Sequence, residues 1–410
     1  MSVTAVPPSE GFRPSQLIYD TRYRGMTIQI VALFTLMLAF AWLISNAITN
    51  LEALGKTFSF SFLFSTSGYD VNQRLLEYTS QSSHGRAAVL GILNTLILAL
   101  VGCLTATVIG VLAGVARLSK NWIVAKLMTV YVEAFRNVPT LLWIIIVMAL
   151  VDESLPAPNA FRGLETGAFT LTNRGLYAPE LLFSRSLGNL DLTYFKISLD
   201  FIAILAVAVS SLYVVRRIGS WAKAKQAATG DRPNVIWTQL GVIFLPVILL
   251  LIVLGFHLGY AELKGFNFQG GTFVRGSFIA LWIALSLYTG AFIAENVRAG
   301  IQSVSKGQTE AAFALGIQPG RTMRLVILPQ ALRVIVPPLI SQYLNLTKNT
   351  SLAIAVGYMD ATGTLGGITL NQTGREMETI LLLMAFYLVV SLTISFFMNL
   401  YNERTKLRER

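Results

Sequence analysis

The stretch Ala87-Ala-Val-Leu-Gly-Ile-Leu-Asn-Thr-Leu-Ile-Leu-Ala-Leu-Val-Gly-Cys-Leu-Thr-Ala-Thr-Val-Ile-Gly-Val-Leu-Ala-Gly-Val115 contains no charged residue. A bilayer core is crossed by about 20 apolar residues wound as a helix, so this stretch reads as a transmembrane span. Seven further apolar runs satisfy the same criterion. The eight predicted spans cover 26–48, 87–115, 137–155, 199–215, 235–256, 276–295, 334–356 and 379–400. The expected class is an all-α integral membrane protein.

Composition points the same way. Of 410 residues, 54% are hydrophobic and 13% charged, and the mean hydropathy is +0.61. Such a chain cannot cover a water-facing surface, which excludes a soluble enzyme, and disorder requires low hydrophobicity. Cys103 alone forms no internal disulfide and reads as a small buried residue. With His84 and His257 far apart, it makes no metal-ligand spacing.

The net charge of +11 suggests nucleic acid until it is distributed over the loops. With both termini in the cytoplasm, cytoplasmic segments hold about 20 basic and about 6 acidic residues, and external ones about 10 and about 13. The basic excess is then an orientation signal rather than a nucleic-acid surface. Much of it lies in Arg216, Arg217, Lys223, Lys225 and Arg232 and in the tail Arg404, Lys406, Arg408 and Arg410. The first span comes after Arg13, Arg22 and Arg24, lacks a small-residue cleavage site and reads as a retained anchor.

This divides the chain into a cytoplasmic segment 1–25, an N-terminal span 26–48, an external loop 49–86, a first membrane block 87–151, an insertion 152–275 with a long external loop and two spans, a second block 276–400, and a tail 401–410.

Between the sixth and seventh spans lies a cytoplasmic loop, 297–333. It contains Gln308-Thr-Glu-Ala-Ala-Phe-Ala-Leu-Gly316 and, further on, Leu328-Pro329. The alanines favour a short helix. Glu310 is expected in its first turn, where the dipole favours an anion. Gly316 permits a sharp turn, and Pro329 restricts the backbone of the next segment. An ordinary connection and a compact docking projection both satisfy these residues.

Glu310-Ala311-Ala312, Gly316 and Val326-Ile327-Leu328-Pro329 resemble the EAA loop of ABC importer permeases. The flanking run Ala294-Glu-Asn-Val-Arg-Ala-Gly-Ile-Gln-Ser-Val-Ser-Lys-Gly-Gln308 is similar to the polar amino-acid branch of that family. So are Glu133-Ala-Phe-Arg-Asn-Val-Pro139 and Leu346-Thr-Lys-Asn-Thr-Ser-Leu352. The likeness covers about 87–151 and 276–405. The additional spans resemble permeases of general L-amino-acid importers. Val326 replaces the usual isoleucine, and Asn349 stands where many relatives carry Asp.

The resemblance implies a five-helix type I permease core in a multi-pass protein of the bacterial inner membrane. It implies that Glu310, Ala311, Ala312 and Gly316 couple to an ATP-binding cassette dimer. The other implied partners are a second, homologous permease and a periplasmic amino-acid-binding protein. ATP and Mg would be held by the partner subunits, with no cofactor in this chain. Gly55-Lys56-Thr57 resembles the end of a phosphate loop, but Asn50 occupies the position of its required first glycine.

Polar residues within spans mark candidate pathways. Lys348, halfway along the seventh predicted span, is flanked by Asn345, Thr347, Asn349, Thr350 and Ser351. A zwitterionic amino acid needs donors for its carboxylate and acceptors for its ammonium, and Asn94 and Thr95 are positioned to face this stretch from the second span. A structurally paired lysine satisfies the same residues. Glu295 with Arg298, and Glu133 with Arg136, are spaced to pair along one helix face, as structural pairs or an inner gate. Residues 122–136 are expected to form an amphipathic interfacial helix. The small residues Gly102, Ala106, Gly110 and Gly114 form one close-packing stripe, whose partner is either intramolecular or in another subunit.

No HExxH or GxSxG pattern is present, so no catalytic residue and no metal site are assigned. The expected function is L-amino-acid uptake by alternating access, driven by ATP hydrolysis in a partner. The alternative is a stand-alone secondary transporter for a small polar solute, which has no need of a docking element at 297–333.

Overall fold

The computed structural model describes residues 16–405 apart from 54, 56, 164–166, 193–194 and 232. Arg13, Lys56, Arg232 and the tail residues Lys406, Arg408 and Arg410 lie outside the described residues. The chain divides into two compact units, Met1–Phe60 and Ser61–Arg410.

The first unit contains the short helix α1 (Gln16–Tyr19) and the long apolar helix α2 (Thr21–Ala53). The second begins with a membrane block of α3 (His84–Ala116), α4 (Trp122–Asn137) and α5 (Thr140–Ser154). The insertion comes next, with strands β1 (Thr170–Thr172), β2 (Gly175–Ala178), β3 (Glu180–Phe183), β4 (Asn189–Leu192) and β5 (Phe195–Ser198). It continues through helices α6 (Leu199–Thr229) and α7 (Ile236–Val253). Strands β6 (Phe256–Gly259), β7 (Glu262–Lys264), β8 (Asn267–Gln269) and β9 (Thr272–Arg275) complete it. The last block comprises α8 (Gly276–Gln302), α9 (Lys306–Ala314), α10 (Pro319–Thr322), α11 (Leu328–Asn349), α12 (Leu370–Thr373) and α13 (Glu376–Thr405).

Among the described residues, eight helices are long and apolar enough to cross a membrane, one at each predicted position. The largest shift is in the seventh, which runs over Pro319–Val356. Its α-helical part starts at Leu328 because Pro329 falls in the first turn, where its missing N–H leaves no bond unmade.

Helices α3 and α8 form the centre, and they run parallel. The Oγ atoms of Thr105 and Ser286 are 2.5 Å apart, and Trp282 Nε1 donates to Thr105 Oγ1 at 3.0 Å. Further along, Gly110 meets Ile293 and Gly114 meets Ala294 and Val297. Helix α11 runs back the other way, bringing Leu346 to Gly102 and Ile335 to Gly300. The small-residue stripe of α3 therefore packs within its own chain, against α8 and α11. A Cβ built on Gly110 would lie 2.5 Å from Ile293 Cβ, so only a glycine permits this approach. In a bilayer such contacts and hydrogen bonds, rather than water exclusion, hold helices together. The core around them includes Leu98, Ile144, Leu281, Leu285, Ile293 and Leu346, all fully buried, and partly buried Cys103 packs on its edge.

Helix α4 buries Val132 against Ala113, Ala291 and Ala294, and Tyr131 donates to the Leu287 carbonyl at 2.6 Å. Its exposed side chains include Trp122, Leu127 and Val130. Its polar residues Lys126, Thr129, Glu133, Arg136 and Asn137 recur at three- and four-residue spacing, so the helix is amphipathic as expected.

The insertion is more ordered than its composition suggests. Antiparallel pairing gives a three-stranded sheet β1-β2-β9 and the pairs β3-β6, β4-β5 and β7-β8. Tyr177, Phe268 and Phe273 stack inside it, with Tyr177 3% exposed. The sheet lies where α5 ends and α8 begins, at the opposite end of α8 from α9.

Candidate functional site

The loop after α8 is built by local rules. Helix α9 spans Lys306–Ala314 with Ser305 at its N-cap position. It ends where Gly316 takes φ +75°, Gly316 N–H donates to Phe313 O at 2.9 Å and Ile317 N–H to Ala312 O at 3.0 Å. This is the Schellman arrangement, which a left-handed residue makes possible. Residues Gly316–Gln318 then lead into α10, and Met323–Ile327 widen by one residue per turn before α11.

Within this hairpin Glu310, Ala311 and Gly316 are exposed, whereas Ala312 is 4% exposed and faces the hairpin's own second half. Glu310 is not in the first turn as expected. Lys306-Gly-Gln extends the helix one turn earlier, which places Glu310 in the second turn and weakens its interaction with the dipole. Phe313 and Leu315 are 49% and 79% exposed, so the projecting surface combines small, acidic and apolar groups.

At the base of the hairpin is a charge cluster. Arg298 donates to Glu295 at 2.5 Å and, through its other amino group, to Gln302 Oε1 at 2.5 Å. Arg117, the C-cap of α3, donates to the same Glu295 carboxylate. The predicted Glu295–Arg298 pair therefore exists and has a third member. The predicted Glu133–Arg136 pair does not form. Glu133 accepts from Asn137 at 3.4 Å, while Arg136 lies over the Phe292 ring at 5.5 Å, where the π-face of an α8 side chain draws the cation.

The polar stretch of α11 is split by the helix turn. Asn345 and Lys348 lie on an exposed face and Asn349 and Ser351 are half-buried, whereas Thr347 and Thr350 are buried and bond back to Tyr343 and Thr347 carbonyls at 2.8 Å. Lys348 is in the last turn of the α-helical part, not at mid-span, because the helix begins at the loop.

Asn94 and Thr95 are fully buried and hold a different segment. Asn94 Nδ2 donates to the carbonyls of Met359 (2.8 Å) and Gln73 (3.1 Å), and Thr95 Oγ1 accepts from Ala361 N–H at 3.0 Å. They anchor the connection 357–375 and do not face Lys348 as expected.

That connection contains Asp360, fully buried and not singled out from sequence. Its carboxylate accepts from Gly363 N–H at 2.8 Å and from Tyr387 Oη at 3.4 Å. Burial pushes its pKa up to about 7. An acid in a glycine- and threonine-rich stretch carries no periodic signal; only the alternation of Gly and Thr with one acid hinted at a capped turn.

Residues 106–407 match the model of a family described as binding-protein-dependent transport system inner membrane component. The chain is a member of that family. It is 54% identical, over the full length of both chains, to the glutamate/glutamine/aspartate/asparagine transport system permease protein BztB of Rhodobacter capsulatus. It is 42% identical to the general L-amino acid transport system permease protein AapQ of Rhizobium johnstonii, over 96% of this chain and 95% of that one. A crystal structure of an amino acid ABC transporter with histidines is similar at TM-score 0.45 and 18% identity, over 78% of this chain and 95% of that one. The matched family region takes in the hairpin, the charge cluster and the polar face of α11. This inner membrane component also carries the strand-bearing insertion, inside the matched interval.

Proposed function

We infer that this permease takes up L-amino acids, as a subunit of an ATP-binding cassette importer. The observation that carries the reading is the hairpin 306–327. An exposed helix with an acid and apolar side chains is held between α8 and α11, and both helices are locked to α3 through glycine contacts. A displacement imposed on the hairpin moves a block of helices rather than a loop. The named relatives support an amino-acid substrate, with acidic and amide side chains among those accepted.

ATP binding in a partner dimer closes those subunits and shifts the hairpin. The exposed face of α11, with Asn345 and Lys348, then changes access from one side of the membrane to the other. Work enters as differential contact of the hairpin with the partner in two states. A second permease faces this one, a periplasmic binding protein delivers substrate, and both termini lie in the cytoplasm, as the basic residues of the loops indicate. ATP hydrolysis belongs to the partner.

The test is a mild-detergent pull-down from the native membrane with mass spectrometry. Recovery of an ATP-binding subunit and a second permease is the expected result. A chain that purifies alone and catalyses uptake in liposomes without them overturns it in favour of a secondary transporter.

A further inference from the structure

A cavity of about 360 Å³ lies between the sheet of the insertion and the membrane block, at the end of α8 remote from the hairpin. It is within the usual size range of small-molecule sites, about 300–1,000 Å³. Its walls come from three places. The β1–β2 turn supplies Asn173 and Arg174, the end of β9 and start of α8 supply Arg275, Gly276 and Ser277, and the last turns of α5 supply Asp152.

The fold fixes these walls. Gly276 N–H donates to Arg174 O at 2.9 Å, Asn173 N–H to Pro156 O at 3.0 Å, and Arg275 N–H to Gln73 Oε1 at 3.1 Å. The turn therefore cannot drift from the helix start.

Several polar groups of the cavity are left without partners. Arg174, Arg275 and Asp152 line one cavity, yet no ion pair joins them among the described residues. Ser277 is 2% exposed, and its Oγ has no hydrogen-bond partner among the described residues; the buried Oδ1 of Asn173 is likewise unmatched. Helix α8 has no side-chain cap, and its first two residues, Gly276 and Ser277, line the cavity, with the Gly276 N–H already given to Arg174 O. Buried polar atoms of this kind are normally satisfied, so an unmatched donor and acceptor in one cavity call for an occupant.

The two guanidinia, the Ser277 hydroxyl and the helix N-terminus suit a carboxylate. Asp152 and Asn173 Oδ1 suit an ammonium. The charged side chains sum to +1, which complements a zwitterion bearing one further acid. We propose that this cavity binds an acidic L-amino acid, with its carboxylates on Arg174, Arg275 and Ser277 and its ammonium on Asp152 and Asn173. The identity of the ligand rests on the transport reading above; the existence of a polar, charge-bearing site does not.

The test is equilibrium binding of L-glutamate and of glutarate, the same diacid without an amino group, to the full chain in detergent. The double variant Arg174→Ala/Arg275→Ala is expected to lose affinity for both by about tenfold or more. Asp152→Asn is expected to weaken L-glutamate and leave glutarate unchanged. Arg174→Ala, an exposed side chain, serves as the variant that keeps the fold, checked by its unfolding midpoint. Unchanged binding in the double variant, an equal effect of Asp152→Asn on both probes, or no saturable binding by the wild type each overturns the site. Uptake by the assembled complex in proteoliposomes is read separately. Uptake without binding at this cavity removes the cavity and leaves the transport reading standing. A wild-type complex that moves no amino acid removes the transport reading.

Discussion

Arg117, the residue that caps α3, and Glu295, in the last third of α8, are joined by an ion pair across two parallel helices. The Arg117 side chain is 9% exposed and that of Glu295 24%. Because Arg298 holds the other oxygen of the same carboxylate, one anion ties the end of α3 to α8, the helix that leads into the hairpin. Removing it strands two cations; removing Arg117 leaves Glu295 still paired. We therefore expect Glu295→Gln to cost about 2–3 kcal/mol and Arg117→Ala about 1–2 kcal/mol, read as unfolding midpoints in detergent. Equal midpoints for both variants and the wild type would mean the cluster stabilises nothing.

The turn at Gly316 is strained for any residue with a Cβ, although nothing lies within 4 Å of where that Cβ would be. The penalty is thus conformational and not steric, about 1–2 kcal/mol for a left-handed residue. Asparagine tolerates this region and valine does not. Gly316→Val should release the ATP-binding subunit in pull-downs while Gly316→Asn retains it. Retention by both would show that the turn geometry is not what the partner reads.

Most of the spans were legible because each is a long apolar run, a signal that survives without any tertiary knowledge; the seventh, interrupted by Asn345, Lys348 and Asn349, is the one whose start was misplaced. The strands of the insertion were not legible. Each is three or four residues long, as in Thr170–Thr172 and Asn267–Gln269, too short for alternation to show. The motif of the hairpin was legible, but the helix start was not, since Ser305 acts as its N-cap residue without the expected acidic first turn. The partner of Glu295 was half legible: Arg298 is one turn away, whereas Arg117 is brought in only by the parallel course of α3 and α8. Arg136 obeyed the helical spacing to Glu133 and still turned to Phe292, because an aromatic face on a neighbouring helix competes with an exposed carboxylate.

The approach of α3 to α8 is tested at its closest glycine. A Cβ at Gly110 would meet Ile293 at 2.5 Å and the Gly290 carbonyl at 2.9 Å. Neither atom can yield without moving a helix. Gly110→Val should cost about 3 kcal/mol or more, beyond ordinary overpacking, and lower the yield of folded protein on size exclusion. Gly241 in α7 has nothing within 4 Å, so Gly241→Ala should match the wild type. A well-folded, fully active Gly110→Val protein would contradict this helix pairing.

Asp360 gives a pH signature. Its carboxyl is raised from 3.8 to about 7 by burial, partly offset by the bonds it accepts. The folded protein thus keeps a proton that the unfolded chain has lost. The resulting stability is greatest below the ordinary carboxyl pKa, falls by at most about 1.4 kcal/mol per pH unit as pH rises toward 7, and then levels off. Asparagine retains the acceptor for Gly363 and has no proton to lose. The midpoint of Asp360→Asn relative to wild type should therefore climb between pH 5 and pH 7 and stay constant above. Parallel curves over that range would place the titration elsewhere.

Lys348 stands on the exposed side of α11, and it forms no ion pair among the described residues. A lysine placed there for structure would have an anion against it, as Arg117 has. Without one, its cost in a bilayer is repaid only by contact with solvent, a partner chain or a passing carboxylate. Lys348→Ala should therefore leave the unfolding midpoint within about 0.5 kcal/mol of wild type and leave recovery of the partner subunits unchanged, while reducing amino-acid uptake about tenfold or more. Lys348→Arg should restore part of the rate, since it keeps the charge and changes its shape. Uptake at the wild-type rate with Lys348→Ala would take this residue out of the pathway. A large loss of stability in the same variant would instead make it a packing residue, and the exposed face of α11 would then need another group to meet the substrate.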